Sequence, residues 1–276
     1  MADTVLVTGA TGKTGSALAR KLREMGVDVR SATRNPREAG DILFDWRDAS
    51  TFEAALDGVD GVYLVAPTDT IEPLAPMQPF LERAIPDRRV VLLSSSSLPK
   101  GGPMMGEVHA WLADHSEDYA VLRPSWFMQN FLTQHLSGIR EKGAIFSATG
   151  DGRVAFIDAE DIASVAASML TRSETLNGDE PILTGPRTLS YDEVARSIAE
   201  ASGRAVRHVR LTVVELASRY EGYGLPSNYA TTLATLDDDI AKGAEDRVTG
   251  EVARWTGRSP NDLVAVLAPH AGMLRE

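Results

Sequence analysis

The 276-residue sequence contains no cysteine. Disulfide bonds, thiolate zinc sites and cysteine nucleophiles are therefore excluded, and a reducing compartment is favoured. Long apolar runs are also missing, because no stretch of about eighteen apolar residues is present to span a membrane. The N-terminus lacks the basic segment and the long apolar segment of a signal peptide. We therefore expect a cytoplasmic protein that does not enter the membrane.

Basic residues are scarce relative to acidic ones. The chain has 28 Lys and Arg against 39 Asp and Glu, which gives a formal net charge of −11 at pH 7. Proteins that bind nucleic acid present a basic face to the phosphate backbone, so no nucleic-acid partner is expected. The five histidines show no spacing typical of a metal site, and no metal is predicted. A small-molecule substrate remains the expected partner, and the oligomeric state is left open.

Short apolar runs alternate with helical segments over the first half of the chain. Hydrophobic residues make up 43% of the sequence and aromatic residues only 6%, which suits helices packed closely on a sheet. Strands are predicted at residues 4–8, 27–33, 41–45, 61–66, 89–94 and 119–123. Such alternation indicates parallel βαβ units with right-handed crossovers. The expected fold is α/β: a Rossmann-like, doubly wound parallel sheet with a smaller C-terminal lobe.

A glycine-rich segment, TGATGKTG, directly follows the first predicted strand. It places Gly9, Gly12 and Gly15 in a G-x-x-G-x-x-G pattern just before a predicted helix. In this setting the first glycine permits a tight turn and the second lets a pyrophosphate approach the main chain. The third glycine lets the helix pack closely on the sheet, and the N–H groups at the helix start attract the anion. Because the spacing does not match a Walker-type loop, a dinucleotide is expected.

The residue after the second strand distinguishes between the two nicotinamide dinucleotides. NAD sites place an acidic residue there for the ribose hydroxyls, whereas this chain has Arg34, and the next acidic residue is Glu38. A guanidinium is planar, permanently charged and able to donate several hydrogen bonds to a 2′-phosphate. Lys13 in the glycine-rich segment could add a second positive charge. The sequence therefore favours NADP(H) as the cofactor.

The alternation of strands and helices loosens beyond residue 125. Later strands are predicted at residues 155–157 and 181–184, and later helices at residues 159–170, 188–203 and 212–221. We expect residues 1–150 to form an NADP-binding Rossmann-like lobe, to which the strands from about 155–185 return. Residues 186–276 are expected to form a C-terminal substrate lobe that acts as a lid.

Several segments together resemble one protein family. They are TGATGKTG at residues 8–15, VYLVAP at 62–67, VVLLSS at 90–95, YAVLRPSWFMQNF at 119–131, GRVAFIDAEDIA at 152–163 and LTGPRTLSYDEVA at 183–195. With Arg34, they resemble the NmrA-like branch of the atypical short-chain dehydrogenase/reductases over essentially the whole chain. Among its enzymes, the sequence is most similar to festuclavine and agroclavine dehydrogenases, which reduce a cyclic iminium. It is also similar to bacterial quinone and azo reductases of that branch.

The family pattern also implies which residues form the site. The pyrophosphate would lie on the glycine-rich segment, the 2′-phosphate at Arg34 and the adenine near Asp45. The cofactor-binding residues implied by the resemblance are Gly9, Thr11, Gly12, Lys13, Thr14, Gly15, Arg34, Asp45, Val65, Ala66, Pro67, Ser94 and Pro124. Those implied for the substrate pocket are Trp126, Phe127 and Met128, joined by Tyr223 from a Gly- and Pro-containing stretch expected to be flexible. Trp126 could equally be a core residue.

The catalytic pair of typical short-chain reductases is missing from the sequence. Those enzymes use Tyr-x-x-x-Lys, in which the lysine lowers the tyrosine pKa for proton exchange with a carbonyl oxygen. None of the six tyrosines has a lysine four residues later, and our alignment places Met105 and His109 at the two positions. His109 is therefore the candidate catalytic residue, as a proton donor or as a ligand of the nicotinamide ribose. A purely structural role for this histidine remains the alternative.

Two classes of function follow from the resemblance. The first is an NADPH-dependent reductase that transfers hydride to an activated acceptor, with an imine or iminium favoured, then a quinone or enone. An iminium carries its charge before attack, so its reduction needs no proton donor for an oxyanion. The alternative is a non-catalytic, NAD(P)-sensing regulatory protein, which would also explain the missing pair. Isomerisation or epimerisation on the same fold completes the set of hypotheses.

Overall fold

The computed structural model describes residues 3–275, and the described residues contain eleven β-strands and twelve α-helices. The strands are β1 (Thr4–Val7), β2 (Asp28–Thr33), β3 (Asp41–Leu43), β4 (Gly61–Leu64), β5 (Arg89–Leu93), β6 (Tyr119–Pro124), β7 (Ala144–Ser147), β8 (Arg153–Val154), β9 (Ile182–Leu183), β10 (Leu189–Ser190) and β11 (Arg207–Arg210). The helices are α1 (Lys13–Glu24), α2 (Phe52–Leu56), α3 (Leu74–Ala84), α4 (Met105–His115), α5 (Leu136–Lys142), α6 (Ala159–Thr171), α7 (Tyr191–Ser202), α8 (Val213–Gly222), α9 (Ser227–Ala241), α10 (Glu251–Thr256), α11 (Leu263–Leu267) and α12 (Ala271–Arg275).

The chain forms two compact units. The first unit contains the described residues up to Pro124 together with Ala159–Leu183 and Glu251–Arg258. The second contains Ser125–Asp158, Thr184–Gly250 and the described residues from Ser259 onward. This division differs from the expected boundaries, because residues 125–158 group with the second unit. The physical reason is strand pairing within that unit, where β7 pairs with β11.

A seven-stranded sheet forms the centre of the first unit. Its strand order is β3-β2-β1-β4-β5-β6-β9, and each neighbouring pair is parallel. The register places Val7, the last residue of β1, opposite Ser31 on one side and Tyr63 on the other. The order therefore reverses between β1 and β4, which is where a crevice opens at the carboxyl edge of such a sheet. The predicted Rossmann-like, doubly wound architecture is confirmed.

Helices cover both faces of this sheet. On one face α1 packs against α6. On the other face, buried side chains from the central strands pack against α2, α3 and α4 in one continuous core. Stacked and edge-to-face contacts join Phe44, Trp46, Phe52 and Phe80 within that core. Burial on both faces explains why β1, β4 and β5 are nearly continuous apolar runs, whereas β2 and β3 toward the edge carry polar residues.

The second unit contains two small sheets. The strands β7 and β11 are parallel, whereas β8 and β10 are antiparallel. The strand predicted at residues 155–157 is wrong in position, because the paired residues are Arg153–Val154 and Ile157 makes only an isolated bridge to Phe127. The stretch around Tyr223 that we expected to be flexible lies mostly in α8 and α9. Within residues 3–275, no helix is long and apolar enough to cross a membrane.

Candidate functional site

The glycine-rich segment connects the carboxyl end of β1 to α1. Gly9 has a φ of +61°, and its carbonyl oxygen accepts a hydrogen bond of 2.8 Å from the N–H of Gly12. The Thr8 hydroxyl donates to the Tyr63 carbonyl oxygen over 3.0 Å and accepts the N–H of Val65 over 2.7 Å. These bonds hold the segment against the end of β4, at the position where the strand order reverses.

An added Cβ atom would be accommodated differently at each of the three glycines. A Cβ atom on Gly15 would lie 2.2 Å from the carbonyl oxygen of Gly9, which the main chain cannot accommodate. A Cβ atom on Gly9 would lie 3.0 Å from the Cβ of Val65. At Gly12 the nearest atom would be the Gly9 carbonyl oxygen at 3.1 Å, and the residue is exposed. Gly15 is therefore required by the loop itself, whereas Gly12 leaves room for a ligand at the surface.

The start of α1 is suited to an anion. Gly12 is the N-cap, no side chain caps the helix, and its first turn, which lies entirely in the described chain, has no acidic residue. Helix N-termini present free N–H groups and a partial positive charge. Lys13 is half-buried here, and burial lowers its pKa. Thr11 is exposed and Thr14 is buried, so only the former offers its hydroxyl at the surface.

Arg34 lies immediately beyond β2 at the same edge. Its side chain is exposed and makes no hydrogen bond or ion pair to any other described residue. The neighbouring carboxylate, Asp41, accepts the main-chain N–H groups of Arg37 and Glu38, and these bonds lower the pKa of Asp41. The guanidinium is thus available to a ligand, while the Asp41 carboxylate is already occupied by local hydrogen bonds.

The remaining cofactor candidates lie at the ends of the next strands. Asp45 is half-buried beyond β3 and accepts the N–H of Arg47 over 3.0 Å. Val65, Ala66 and Pro67 follow β4, and Val65 borders the glycine-rich segment through Gly9. These residues lie at the carboxyl ends of β3 and β4, and their place on the adenine side of a dinucleotide stays a prediction.

Ser94 and Pro124 mark the ends of β5 and β6. The Ser94 hydroxyl is buried and has no hydrogen-bond partner in the described part of the chain. The Pro124 carbonyl oxygen accepts the N–H of Ser96 over 2.9 Å. An unsatisfied buried hydroxyl at this edge, together with the exposed main chain at Gly12 and the available Arg34, fits a dinucleotide.

The structure places His109 inside α4, where it is 2% exposed. Its Nε2 atom is 3.9 Å from the carboxylate of Glu180, and its Nδ1 atom has no hydrogen-bond partner among residues 3–275. Burial lowers the pKa of His109, the charge of Glu180 opposes that shift, and the charges of Lys100 and Arg123 add to it. His109 therefore faces the β6–β9 side of the sheet as a neutral imidazole.

The substrate-pocket candidates lie in the second unit. Trp126 is half-buried and packs on the hydrophobic core of that unit, and Phe127 is also half-buried. Met128 is 1% exposed and belongs to the core. Tyr223 is 57% exposed at the C-cap of α8, where the guanidinium of Arg219 lies 5.3 Å from the centre of its ring. Trp126 and Phe127 thus keep exposed area for a ligand, whereas Met128 does not.

Comparisons with known proteins identify the family of the chain. The model of the NAD dependent epimerase/dehydratase family matches residues 5–72. The uncharacterized oxidoreductase YesF of Bacillus subtilis is 42% identical over 97% of this chain and 95% of its own. Agroclavine dehydrogenase of Claviceps fusiformis is 39% identical over 93% of each chain. The chain belongs to the NmrA-like short-chain dehydrogenase/reductase family.

Solved structures are similar to this NmrA-like protein in their fold. The NADPH-dependent quinone oxidoreductase of Escherichia coli, complexed with NADPH, superposes with a TM-score of 0.82. The sequences are 22% identical, and the match covers 96% of this chain and 99% of that chain. The family model and these relatives support an NAD(P)-dependent oxidoreductase, while the solved structures show the fold alone.

A cluster of buried polar residues in the second unit of the NmrA-like chain was not anticipated. The Ser147 hydroxyl lies 2.7 Å from the Nε2 atom of His208 and 2.7 Å from the Thr149 hydroxyl. Asp192 lies 4.0 Å from the Nδ1 atom of His208. Although this set has the composition of a hydrolytic triad, Ser147 is buried and cannot be reached by a substrate. Burial lowers the pKa of His208, which keeps it neutral.

Asp237 on α9 belongs to the same region. It is 6% exposed and accepts the N–H of Ala148 over 2.9 Å, and burial raises its pKa to about 6. The residues buried along α9 are Ala230, Ala234, Asp237 and Ile240. Their spacing of three or four residues is the signal that could have identified this aspartate from the sequence.

Replacing Asp237 by asparagine is expected to stabilise the protein at pH 8. A folded-state pKa above the unfolded value means that Asp237 contributes stability below pH 4, and that this contribution is lost as pH rises through about 6. Asparagine keeps an acceptor for the Ala148 N–H without the buried charge, so the gain at pH 8 is about 2 to 3 kcal/mol. Melting temperatures of both proteins at pH 5 and pH 8 check this. An equal gain at both values would show that charge is not the cause.

Proposed function

We propose that this NmrA-like protein is an NADPH-dependent reductase that transfers hydride to a small, activated acceptor. An imine or iminium is the preferred class, followed by a quinone or enone. The observation that carries the proposal is the edge of the seven-stranded sheet, where an uncapped helix start, the open Gly12 main chain and an available Arg34 lie together. The supporting relatives include agroclavine dehydrogenase, and the supporting folds include an NADPH-dependent quinone oxidoreductase.

The choice of NADP(H) rests on Arg34. Its guanidinium is exposed and has no partner in the described chain, and the first acidic residue after β2 is Glu38, four residues beyond Arg34. Charge-assisted hydrogen bonds to a phosphate are stronger than neutral ones. We infer that Arg34 binds the 2′-phosphate and that the helix start at Lys13 binds the pyrophosphate.

Replacing Arg34 by alanine is expected to weaken NADPH binding by about tenfold to a hundredfold, because a charge-assisted contact is worth about 1.5 to 3 kcal/mol. NADH binding should change little, since NADH has no 2′-phosphate. Titration of each dinucleotide into the wild type and the Arg34→Ala protein measures both constants. Equal losses for the two dinucleotides would show that Arg34 does not contact the 2′-phosphate. Arg37→Ala is the matched control for loss of a neighbouring exposed charge.

The chain's own residues suggest which acceptor suits the site. Bound NADPH would supply the hydride, and the protein would orient it and exclude water. The described residues offer little that could deliver a proton to the acceptor. Met105 stands where the family's tyrosine is expected, and His109 is buried and neutral beside Glu180. An acceptor that is already positive, or otherwise electrophilic, does not need a proton at the moment of hydride transfer.

Turnover and binding measured together test the proposal. NADPH oxidation is followed with cyclic imines, quinones, enones and aldehydes, while NADPH binding is measured by titration on the same preparation. We expect the highest rate of NADPH oxidation with cyclic imines. Tight NADPH binding without turnover on any acceptor class would contradict a reductase and favour a non-catalytic NAD(P)-sensing regulator.

A further inference from the structure

Tyr63 lies on the central strand of the seven-stranded sheet and is completely buried. It belongs to β4, stands opposite Val7 of β1 in the register, and has 0% of its surface exposed. Its neighbours Val62 and Leu64 are part of the core on the side of α2, α3 and α4. Because side chains alternate along a strand, the Tyr63 ring points to the opposite face, which α1 covers.

The phenol of Tyr63 is polar but has no hydrogen-bond partner among residues 3–275. Burial raises the pKa of Tyr63, and the Thr14 hydroxyl opposes this rise, which places Thr14 beside the phenol. Buried tyrosine hydroxyls usually have a partner, because a buried donor without one is unfavourable. Tyr63 therefore offers a neutral O–H donor whose hydrogen bond is not made in the free protein.

Thr14 connects this phenol to the start of α1. It is the second residue of the helix, after the N-cap Gly12, and it is 4% exposed. The N-terminus of this helix has no side-chain cap and favours an anion. A hydroxyl can accept one hydrogen bond while it donates another. Thr14 can therefore accept from the Tyr63 phenol and direct its own proton to an anion at the helix start.

The main chain of Tyr63 holds the same glycine-rich segment. Its carbonyl oxygen accepts the N–H of Thr8 over 3.0 Å and the Thr8 hydroxyl over 3.0 Å. The side chain contacts the segment near its other end, at Thr14. Tyr63 thus joins β4 to both ends of the glycine-rich segment, and only its phenol oxygen is left without a partner in the described chain.

We propose that Tyr63 is a positioning residue for phosphate binding at the start of α1. Its phenol donates to the Thr14 hydroxyl, which in turn donates to the bound phosphate. The inference rests on the proposed function, since it assumes a dinucleotide at this helix start. Hydrogen bonds to a charged acceptor are stronger than neutral ones, and linked hydroxyls polarise one another. The hydrogen bond that the free protein lacks is formed when the phosphate binds, which adds to the affinity for NADPH.

Tyr63→Phe removes only the phenol oxygen and is the main test. The Kd for NADPH should rise about threefold to tenfold, because one hydrogen bond of the bound state is lost. The Tm of the ligand-free protein should not fall, because the phenol has no partner there. Tyr119→Phe is the matched control, since it removes a phenol from the first residue of β6, at the opposite edge of the same sheet. NADPH affinity should be unchanged in that control.

Combination with Thr14 variants separates positioning from a general effect on packing. Thr14→Val removes the hydroxyl at nearly constant size, and it should weaken NADPH binding by itself. Added to Thr14→Val, Tyr63→Phe should have no further effect on the Kd, because the phenol has then lost its partner. Thr14→Ser keeps a hydroxyl, so in that protein Tyr63→Phe should again raise the Kd.

Titration calorimetry with NADPH and melting temperatures without ligand provide the two readouts. Equal NADPH affinity in the wild type and Tyr63→Phe would overturn the inference, and so would an undiminished effect of Tyr63→Phe combined with Thr14→Val. A lower Tm in ligand-free Tyr63→Phe would also overturn it, because the phenol would then already hold a hydrogen bond, for example to a trapped water.

These binding measurements distinguish the inference from the proposed function. If the wild type binds NADPH but reduces no acceptor, the reductase is refuted, and the comparison with Tyr63→Phe still decides the role of Tyr63. If the wild type reduces an imine and Tyr63→Phe binds NADPH equally well, only the role of Tyr63 is refuted. Absence of NADPH binding to the wild type would refute both.

Discussion

NADPH binding is expected to disappear when Gly12 is replaced by valine, while the fold of the first unit is kept. Gly12 is exposed at the start of α1, and a Cβ atom there would meet only the Gly9 carbonyl oxygen, at 3.1 Å. The loop can adjust by a few tenths of an ångström to such a contact. A pyrophosphate that approaches the main chain at this point cannot, because the valine side chain occupies its place. The loss should exceed about a hundredfold in affinity.

Titration of NADPH and the melting temperature without ligand are the two measurements for Gly12→Val. Gly15→Ala is the matched comparison, because its Cβ atom would lie 2.2 Å from the main-chain oxygen of Gly9. That variant should lose both binding and stability, whereas Gly12→Val should lose binding alone. Normal NADPH affinity in Gly12→Val would mean that the phosphates bind elsewhere on the protein.

A cyclic imine should be reduced with a kcat/KM about 10² to 10⁴ times that of its isosteric ketone. Hydride addition to a neutral ketone creates an alkoxide, and a missing general acid typically costs a factor of this size. Addition to an iminium neutralises a charge that is already present. The sequence alignment places Met105 at the expected tyrosine position, and in the structure His109 is buried, with its Nε2 atom 3.9 Å from the Glu180 carboxylate.

The pH dependence of the imine reaction identifies the source of the proton. If solvent protonates the imine, kcat/KM should fall as pH rises above the pKa of the imine itself, in the wild type and in His109→Ala alike. Rates between pH 5 and pH 9 for both proteins check this. A faster ketone would refute the preference. Loss of all imine activity in His109→Ala, with NADPH binding and fold retained, would instead identify His109 as the proton donor.

The cofactor side of the first unit was predictable because its signals are local. A glycine-rich segment between an apolar run and an amphipathic helix has one common structural solution, and the residue after the second strand is defined by its position alone. The predicted late strand at 181–184 is confirmed as β9 at Ile182–Leu183. Arg34 is predicted from its position after the second strand, whereas Asp45 and Ser94 are implied by the family resemblance, and the structure brings all three to one edge because parallel strands end together. Their roles in binding remain predictions.

The fold class, the order of the central elements and the family are predictable from the sequence, since they depend on periodicity and on short motifs. The grouping of segments into units is not, because strand pairing is set by contacts between residues far apart in the chain. The pairing of β7 with β11 moved residues 125–158 into the second unit. The pKa values of buried residues are likewise set by the tertiary structure. The polar character of His109 and Asp237 is visible in the sequence, but their pKa values follow from desolvation and from neighbours that only folding supplies.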